Sequence, residues 1–429
     1  MSATRLNLSC GQTDIYAQAR QTIGEPLPQP IYYPPFAELV GDTMRMLREM
    51  LHTTGDVLLP VGTAVYGQEG AFTTLLEPGD LCITVNTGLF GQNLSDLVGV
   101  AGGELVEITV PHGKAVTVEQ ARETLSTHPD AKLFSVVHLE TTTGTLNPVQ
   151  EIGAMIRSKF PNVIYMVDAV SSLTSEPLRV DDWGIDICCS SSQKCINAPQ
   201  GVAIVTFSER AWDAVDRRKT GIPGMCLDLR TWKKWQTKME EALAVERGEG
   251  PAQSDSEGDG AVDTSITEYK VAHGPSQSYT LVQALHGALQ EIEREGLEQV
   301  IARHGAAGRA FRAGVRAMGL GILADEANAA SCANCVVMPG DSFPTQDYML
   351  TVWREHGIAT AGGSQHVDEM GYAGSRVGLM GFVANLDSVT ALLEAMEQVL
   401  PRFDVEVKAG AAVPAARAAY ESAPALASA

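Results

Sequence analysis

Ser190-Ser-Ser-Gln-Lys-Cys-Ile-Asn-Ala-Pro-Gln-Gly201 places one lysine, Lys194, in a run of small and polar residues just before the apolar stretch 201–207. Upstream, Asp168-Ala-Val-Ser-Ser172 closes a second apolar stretch, 163–167. Taken singly, Lys194 reads as a surface lysine and Asp168 as a loop aspartate. Together, at the ends of apolar strands where functional residues of sheet proteins collect, they suit a pyridoxal phosphate site. The amine can form a Schiff base with the cofactor aldehyde. The carboxylate can hold the pyridine nitrogen protonated, so that the ring withdraws electrons.

Around this pair the chain alternates between short apolar runs and amphipathic stretches. Strands are expected at 57–61, 81–85, 104–110, 133–138, 163–167, 185–189 and 202–206, and helices at 67–76, 118–126 and 149–160. That alternation predicts an α/β fold, with a mostly parallel sheet of seven strands covered by helices. Ligands of such sheets bind beyond the carboxyl ends of the strands, where Asp168 falls. From 277 a long helix pattern leads into a smaller α+β unit, with helices near 298–318, 345–356 and 386–399 and strands near 321–323 and 335–338. The expected division is an N-terminal segment 1–35, a large domain 36–276, a small C-terminal domain 277–405 and a flexible Ala-rich tail 406–429. Residues 246–262, acidic and rich in Gly and Ser, have almost nothing to bury and read as a mobile surface loop.

Composition sets outer bounds. The chain has 429 residues, 45% hydrophobic and 19% charged, as in an ordinary globular protein. A net charge of −21 argues against nucleic acid as a partner. No apolar run of about 18 residues predicts a membrane span, and the N-terminus has no apolar core of a signal peptide. A cytoplasmic location is the expectation. The eight cysteines are scattered and read as reduced, mostly buried thiols. Cys332-Ala-Asn-Cys335 has the spacing of half a zinc set with no second half, so a structural role and no metal are expected.

Four further stretches carry groups that a phosphate-bearing, carboxylate-bearing ligand pair could use. Gly62-Thr-Ala-Val65 turns from a strand into a helix and offers backbone N–H groups to a phosphate. Asn86-Thr-Gly-Leu-Phe-Gly91 ends a strand in an aromatic, Phe90, which is either a core residue or a lid on the pyridine ring. His138-Leu-Glu-Thr-Thr-Thr-Gly-Thr145 ends another in hydroxyls. Gly374-Ser-Arg-Val-Gly-Leu-Met-Gly381 buries an arginine, Arg376, whose planar fork suits a carboxylate, unless a structural ion pair takes it.

These stretches resemble the class V aminotransferases of PLP fold type I, above all the alanine–glyoxylate (serine–pyruvate) and pyridoxamine–pyruvate transaminases, over about 35–225 and 276–400. The resemblance implies that Lys194 is the Schiff-base lysine and that Asp168 is the partner of the pyridine nitrogen. It places Phe90 on the ring, Thr63, Ala64, Val65 and Gln193 near the phosphate, Thr142 near the phenolic oxygen and Arg376 on the substrate carboxylate. It also implies a homodimer, in which a neighbouring subunit completes the phosphate site from residues matching 269–276. Two departures stand out. Ala64-Val65 stands where alanine–glyoxylate enzymes have Gly-His, and Gly362-Gly-Ser-Gln-His366 lacks the arginine that would follow Gly-Gly in the pyridoxamine–pyruvate branch.

The implied reaction is amino transfer from a small amino acid to a 2-oxo acid such as pyruvate or glyoxylate, with pyridoxal 5'-phosphate as cofactor. Two alternatives stay open. One is a pyridoxamine–pyruvate-type enzyme that takes an unphosphorylated vitamer as substrate. The other is a lyase or desulfurase on the same fold, for which Cys226, Cys332 and Cys335 are the candidate thiols.

Overall fold

The structure is a computed structural model and describes residues 5–26, 34–246, 277–339, 343–362 and 374–422. Its centre is a seven-stranded sheet of β1 (Asp56–Leu58), β2 (Leu81–Asn86), β3 (Glu104–Thr109), β4 (Leu133–Val137), β5 (Ile164–Asp168), β6 (Ile187–Ser191) and β7 (Ala203–Phe207). The spatial order is β1-β7-β6-β5-β4-β2-β3. All neighbours are parallel except β7, which runs antiparallel to β6 and β1.

All seven expected strands are present, each within about two or three residues of its predicted ends. The reason is legible in the alternation of their side chains. In β4, Phe134 and Val136 enter one core, whereas Leu133 and Val137 enter the core on the opposite face. Tyr165 and Val167 of β5 likewise oppose Ile164 and Met166. A sheet buried on both faces needs apolar residues at every position, which is what β-branched and aromatic runs supply. Helices start where caps stand. Thr117 accepts from the Gln120 amide at 3.1 Å while the Gln120 side chain accepts from Thr117, a reciprocal cap for the helix Val118–Thr127.

The smaller unit is a four-stranded antiparallel sheet of Gly321–Ile322, Ala333–Val337, Gly374–Gly378 and Ala361–Gly362, in that order. Helices Leu297–Ala317, Thr345–His356 and Leu386–Val399 build its core.

Contacts cross the expected domain limits at three places. The helix Tyr279–Glu295 packs with the large domain, because Val282, Leu285, Leu289 and Ile292 join the core shared with the helix Pro34–Leu51. The N-terminal segment is a bridge between the two units. Leu6–Asn7 pairs in parallel with Ile358–Ala359 of the small unit, whereas Ala19 is buried in the large core. The tail also carries structure: the helix Ala412–Glu421 buries Ala412 and Ala416 in the small-domain core. Small alanines let that helix approach closely, which the low count of large residues disguised. Of the acidic stretch 246–262, residues 247–262 lie outside the described residues.

Candidate active site

The carboxyl ends of β2, β4, β5 and β6 open on one edge of the sheet, where Phe90, Asp168 and Lys194 follow or end the strands. Asp168 is the last residue of β5 and is 4% exposed. Its Oδ1 accepts the Val170 N–H at 2.8 Å. Burial raises its pKa to about 7, opposed by the Val170 bond, reinforced by the negative charge of Glu140, and opposed again by Gln68 and Lys194. A carboxyl that keeps its proton near neutrality can lend it to a pyridine nitrogen.

Lys194 lies three residues beyond β6 and is 8% exposed. Burial lowers its pKa; nearby thiols oppose that, and the Arg376 guanidinium adds to it. A lysine so placed spends more of its time as the free amine that attacks an aldehyde or takes a proton. Its Nζ donates to the Cys10 carbonyl at 2.6 Å, a contact across almost the whole large domain. The same N-terminal segment grips the lysine loop through Thr13, whose hydroxyl donates to the Gln193 carbonyl at 3.0 Å and the Lys194 carbonyl at 3.1 Å. Asn197 holds the loop's other end with φ of 54° and accepts from the Phe382 N–H at 2.8 Å. Gly381 has to be glycine here, since its φ is 68° and a Cβ would collide with the Asn197 side chain.

A narrow cleft is lined by Ala64, Val65, Gln68, Phe90, Thr141 and Asp168. Ala64 begins the helix Ala64–Leu75, and Thr63 is its N-cap with no side-chain bond of its own. That terminus leaves backbone donors for an anion. The Gln193 amide is buried, and its Oε1 has no hydrogen-bond partner among the described residues. A buried lysine, a buried aspartate and a helix start with free backbone donors fit a phosphorylated aldehyde whose ring nitrogen would meet Asp168. The residues present therefore fit pyridoxal phosphate.

Arg376 sits on the small-domain strand Gly374–Gly378, with Nε donating to the Gly362 carbonyl at 3.0 Å. Its charge reaches both Lys194 and the Cys10 thiol. A guanidinium at that place can receive a carboxylate across from the lysine.

Thr142 lies in the wall of the cleft. Its hydroxyl donates to Glu140 Oε1 at 2.5 Å and accepts the Leu89 N–H at 3.3 Å, so its proton is committed inside the wall. Thr141, one residue earlier, lines the cleft, and its hydroxyl lies 2.5 Å from that of Ser171. A one-residue step along an irregular turn reverses which hydroxyl faces outward, and the Thr-rich run hides the choice. Glu140 and Cys10 were not singled out from the sequence. An acid closing an apolar strand was the available signal for Glu140. Cys10 offered none, because its contact with Lys194 depends wholly on the chain's return across the sheet. Residues 269–276 and 363–373 lie outside the described residues. Among the described residues no cluster of three or more metal-ligating side chains occurs.

The sheet order with its one antiparallel strand, and a buried lysine and aspartate at the strand ends, define a protein of PLP fold type I. The Aminotransferase class-V family profile matches residues 64–243. An uncharacterized aminotransferase of Methanocaldococcus jannaschii is 30% identical over 87% of both chains. The pyridoxamine–pyruvate transaminase of Mesorhizobium japonicum is 25% identical over 97% of both. The crystal structure of the ureidoglycine–glyoxylate aminotransferase of Bacillus subtilis superposes with a TM-score of 0.83 at 25% identity, covering 97% of each chain. This chain belongs to the class-V aminotransferase family, and it is a pyridoxal phosphate-dependent transaminase.

Proposed function

We propose that this transaminase moves an amino group from a small amino acid to a 2-oxo acid such as pyruvate or glyoxylate, with Lys194 as its Schiff-base lysine. The observation that carries the reading is Lys194 itself, buried, drawn towards its neutral form, and flanked by Asp168 and Arg376 on separate domains. When bound, pyridoxal phosphate supplies an aldehyde for the amino group and a ring that accepts electrons. Asp168 holds the ring-nitrogen proton. Lys194, the buried amine at this place, would serve as the base that takes the proton from the substrate α-carbon. Arg376 fixes the substrate carboxylate and so orients the α-proton towards Lys194. Phe90 would cover one face of the ring, and Thr63, Ala64, Val65 and Gln193 would hold the phosphate.

The phosphate end supports a homodimer. Val65 is 43% exposed at the mouth of the cleft, an apolar residue at a site that has to exclude water, and a second copy would cover it. All eight cysteines are thiols, seven of them buried, which supports a reducing, cytoplasmic setting. Among the described residues no helix is long and apolar enough to cross a membrane.

Likeness to the pyridoxamine–pyruvate transaminase over 97% of both chains favours a second reading, in which pyridoxamine is the amino donor. An absorption spectrum of the purified protein separates the two. A visible band that bleaches on adding L-alanine, and returns with pyruvate or glyoxylate, supports the preferred reaction. A colourless protein that gains the band only with added pyridoxal overturns it in favour of the second. Sulfide or alanine released from cysteine would instead establish a desulfurase.

A further inference from the structure

Glu140 follows β4 and is completely buried. A carboxylate withdrawn from water is costly unless hydrogen bonds replace its hydration. All its recorded bonds come from donors. Oε1 accepts the Thr142 N–H at 3.0 Å and the Thr142 hydroxyl, and Oε2 accepts the Phe90 and Gly91 N–H groups, each at 3.1 Å. Four donors on two oxygens describe an ionised carboxylate, which only accepts. Burial raises its carboxyl above the usual range, and these bonds offset part of that rise.

Phe90 and Gly91 open the helix Leu89–Val100, whose N-cap is Gly88 and makes no side-chain bond. Glu140 therefore serves from another strand as the anion at this helix start, satisfying two donors that the helix itself leaves unpaired. Gly88 makes the approach possible, because a Cβ there would lie 2.6 Å from the Thr142 hydroxyl and 2.7 Å from the Glu140 carboxyl carbon. One side chain thus fastens the helix that carries Phe90 to the turn that carries Thr141, and both residues line the cleft.

We propose that Glu140 is a positioning residue of the cofactor site, a buried carboxylate that holds the Phe90 wall and the Thr141 wall in register without touching the ring. This role rests on the cofactor reading of the cleft given above. It carries an electrostatic consequence. Glu140 is a second negative charge beside Asp168 and strengthens the hold of Asp168 on its proton. Length and charge can be separated by substitution. Glu140→Gln keeps the length and removes the charge, and its single oxygen can serve only one of the two donor pairs. Glu140→Asp keeps the charge and falls short by one methylene.

The test titrates wild type, E140Q and E140D with pyridoxal phosphate by protein fluorescence, and follows the visible band of each bound form with pH. Amide hydrogen exchange at Phe90 and Gly91 is measured in the cofactor-free proteins. Both variants should bind the cofactor roughly tenfold more weakly, with faster exchange at the two amides. The pH midpoint of the band should fall by about one unit in E140Q and stay near wild type in E140D, a split that mere destabilisation would not produce. Wild-type affinity, exchange and midpoint in E140Q would overturn the role. If wild type itself bound no pyridoxal phosphate, the cofactor reading of the cleft would fall, and this role with it. A variant that does not fold leaves the other to decide, since each has its own expected signature.

Discussion

The two ends of the cleft are built differently. At the ring end, Asp168, Glu140 and Lys194 are all buried, and each is held by bonds from its own chain. At the phosphate end, Thr63 is exposed, Val65 is 43% exposed, and the helix start carries no side-chain cap. On the proposed reading the reacting groups come from one chain, because perturbing a pKa requires removing water from the group. Anchoring is left open, because a helix terminus can grip an anion at the surface and a second copy can close over it.

The sharpest break of this comparison lies at the ring end. Lys194→Ala should reduce amino transfer to below about 10⁻⁴ of wild type, while equilibrium dialysis still shows cofactor bound. Residual transfer near wild type would remove Lys194 from the mechanism. Asp168→Asn follows, with kcat lower by roughly 10²–10³ and a smaller change in KM, because the lost charge is felt most as electrons enter the ring. Steady-state kinetics with both half-reaction substrates reads this split. Across the cleft, Arg376→Ala should raise KM for the amino acid roughly a hundredfold. An amine lacking a carboxylate should hardly respond to the same substitution.

The open end predicts a milder and different phenotype. Val65→Asp should weaken cofactor binding by about tenfold and shift the protein towards monomer in sedimentation, since a charge there resists being covered. Unchanged mass and affinity would show that the phosphate end needs no second copy. The smallest effect concerns stability without cofactor. Asp168 has its pKa raised to about 7 by burial, and its unfolded value is about 3.9. The neutral form favours the folded state, so this stability is fully present below about pH 4 and is lost as pH rises through about 7. Glu176, buried and accepting the Ser331 N–H at 2.6 Å, is raised likewise to about 7 and loses stability in the same direction. Melting of the cofactor-free protein between pH 5 and 8 should therefore be less pH-dependent in Asp168→Asn than in wild type.

Much of the sheet was legible because each strand states its own periodicity. Phe134, Val136, Tyr165 and Val167 face one core and their neighbours the other, and short polar turns punctuate them. The motif around Lys194 was equally readable, since a lysine among small residues beside an apolar strand is locally unusual. Which of Thr141 and Thr142 lines the cleft was not legible, because hydroxyl direction within 140–145 is set by Glu140 and Leu89, not by the run of threonines. That the helix Tyr279–Glu295 packs in the large core was not legible, because its apolar stripe says that it packs, but not against what.

From its sequence alone this chain determined the strands and most helices, and it put Lys194 and Asp168 at strand ends and Arg376 within a strand. Those follow from local periodicity and from residue chemistry. Only the tertiary structure decided that the Cys10 carbonyl meets Lys194, that Glu140 caps the helix of Phe90, and that the N-terminal segment joins both domains. Each of these contacts joins segments far apart in the chain, and their meeting depends on strand order and helix packing, which no local pattern encodes.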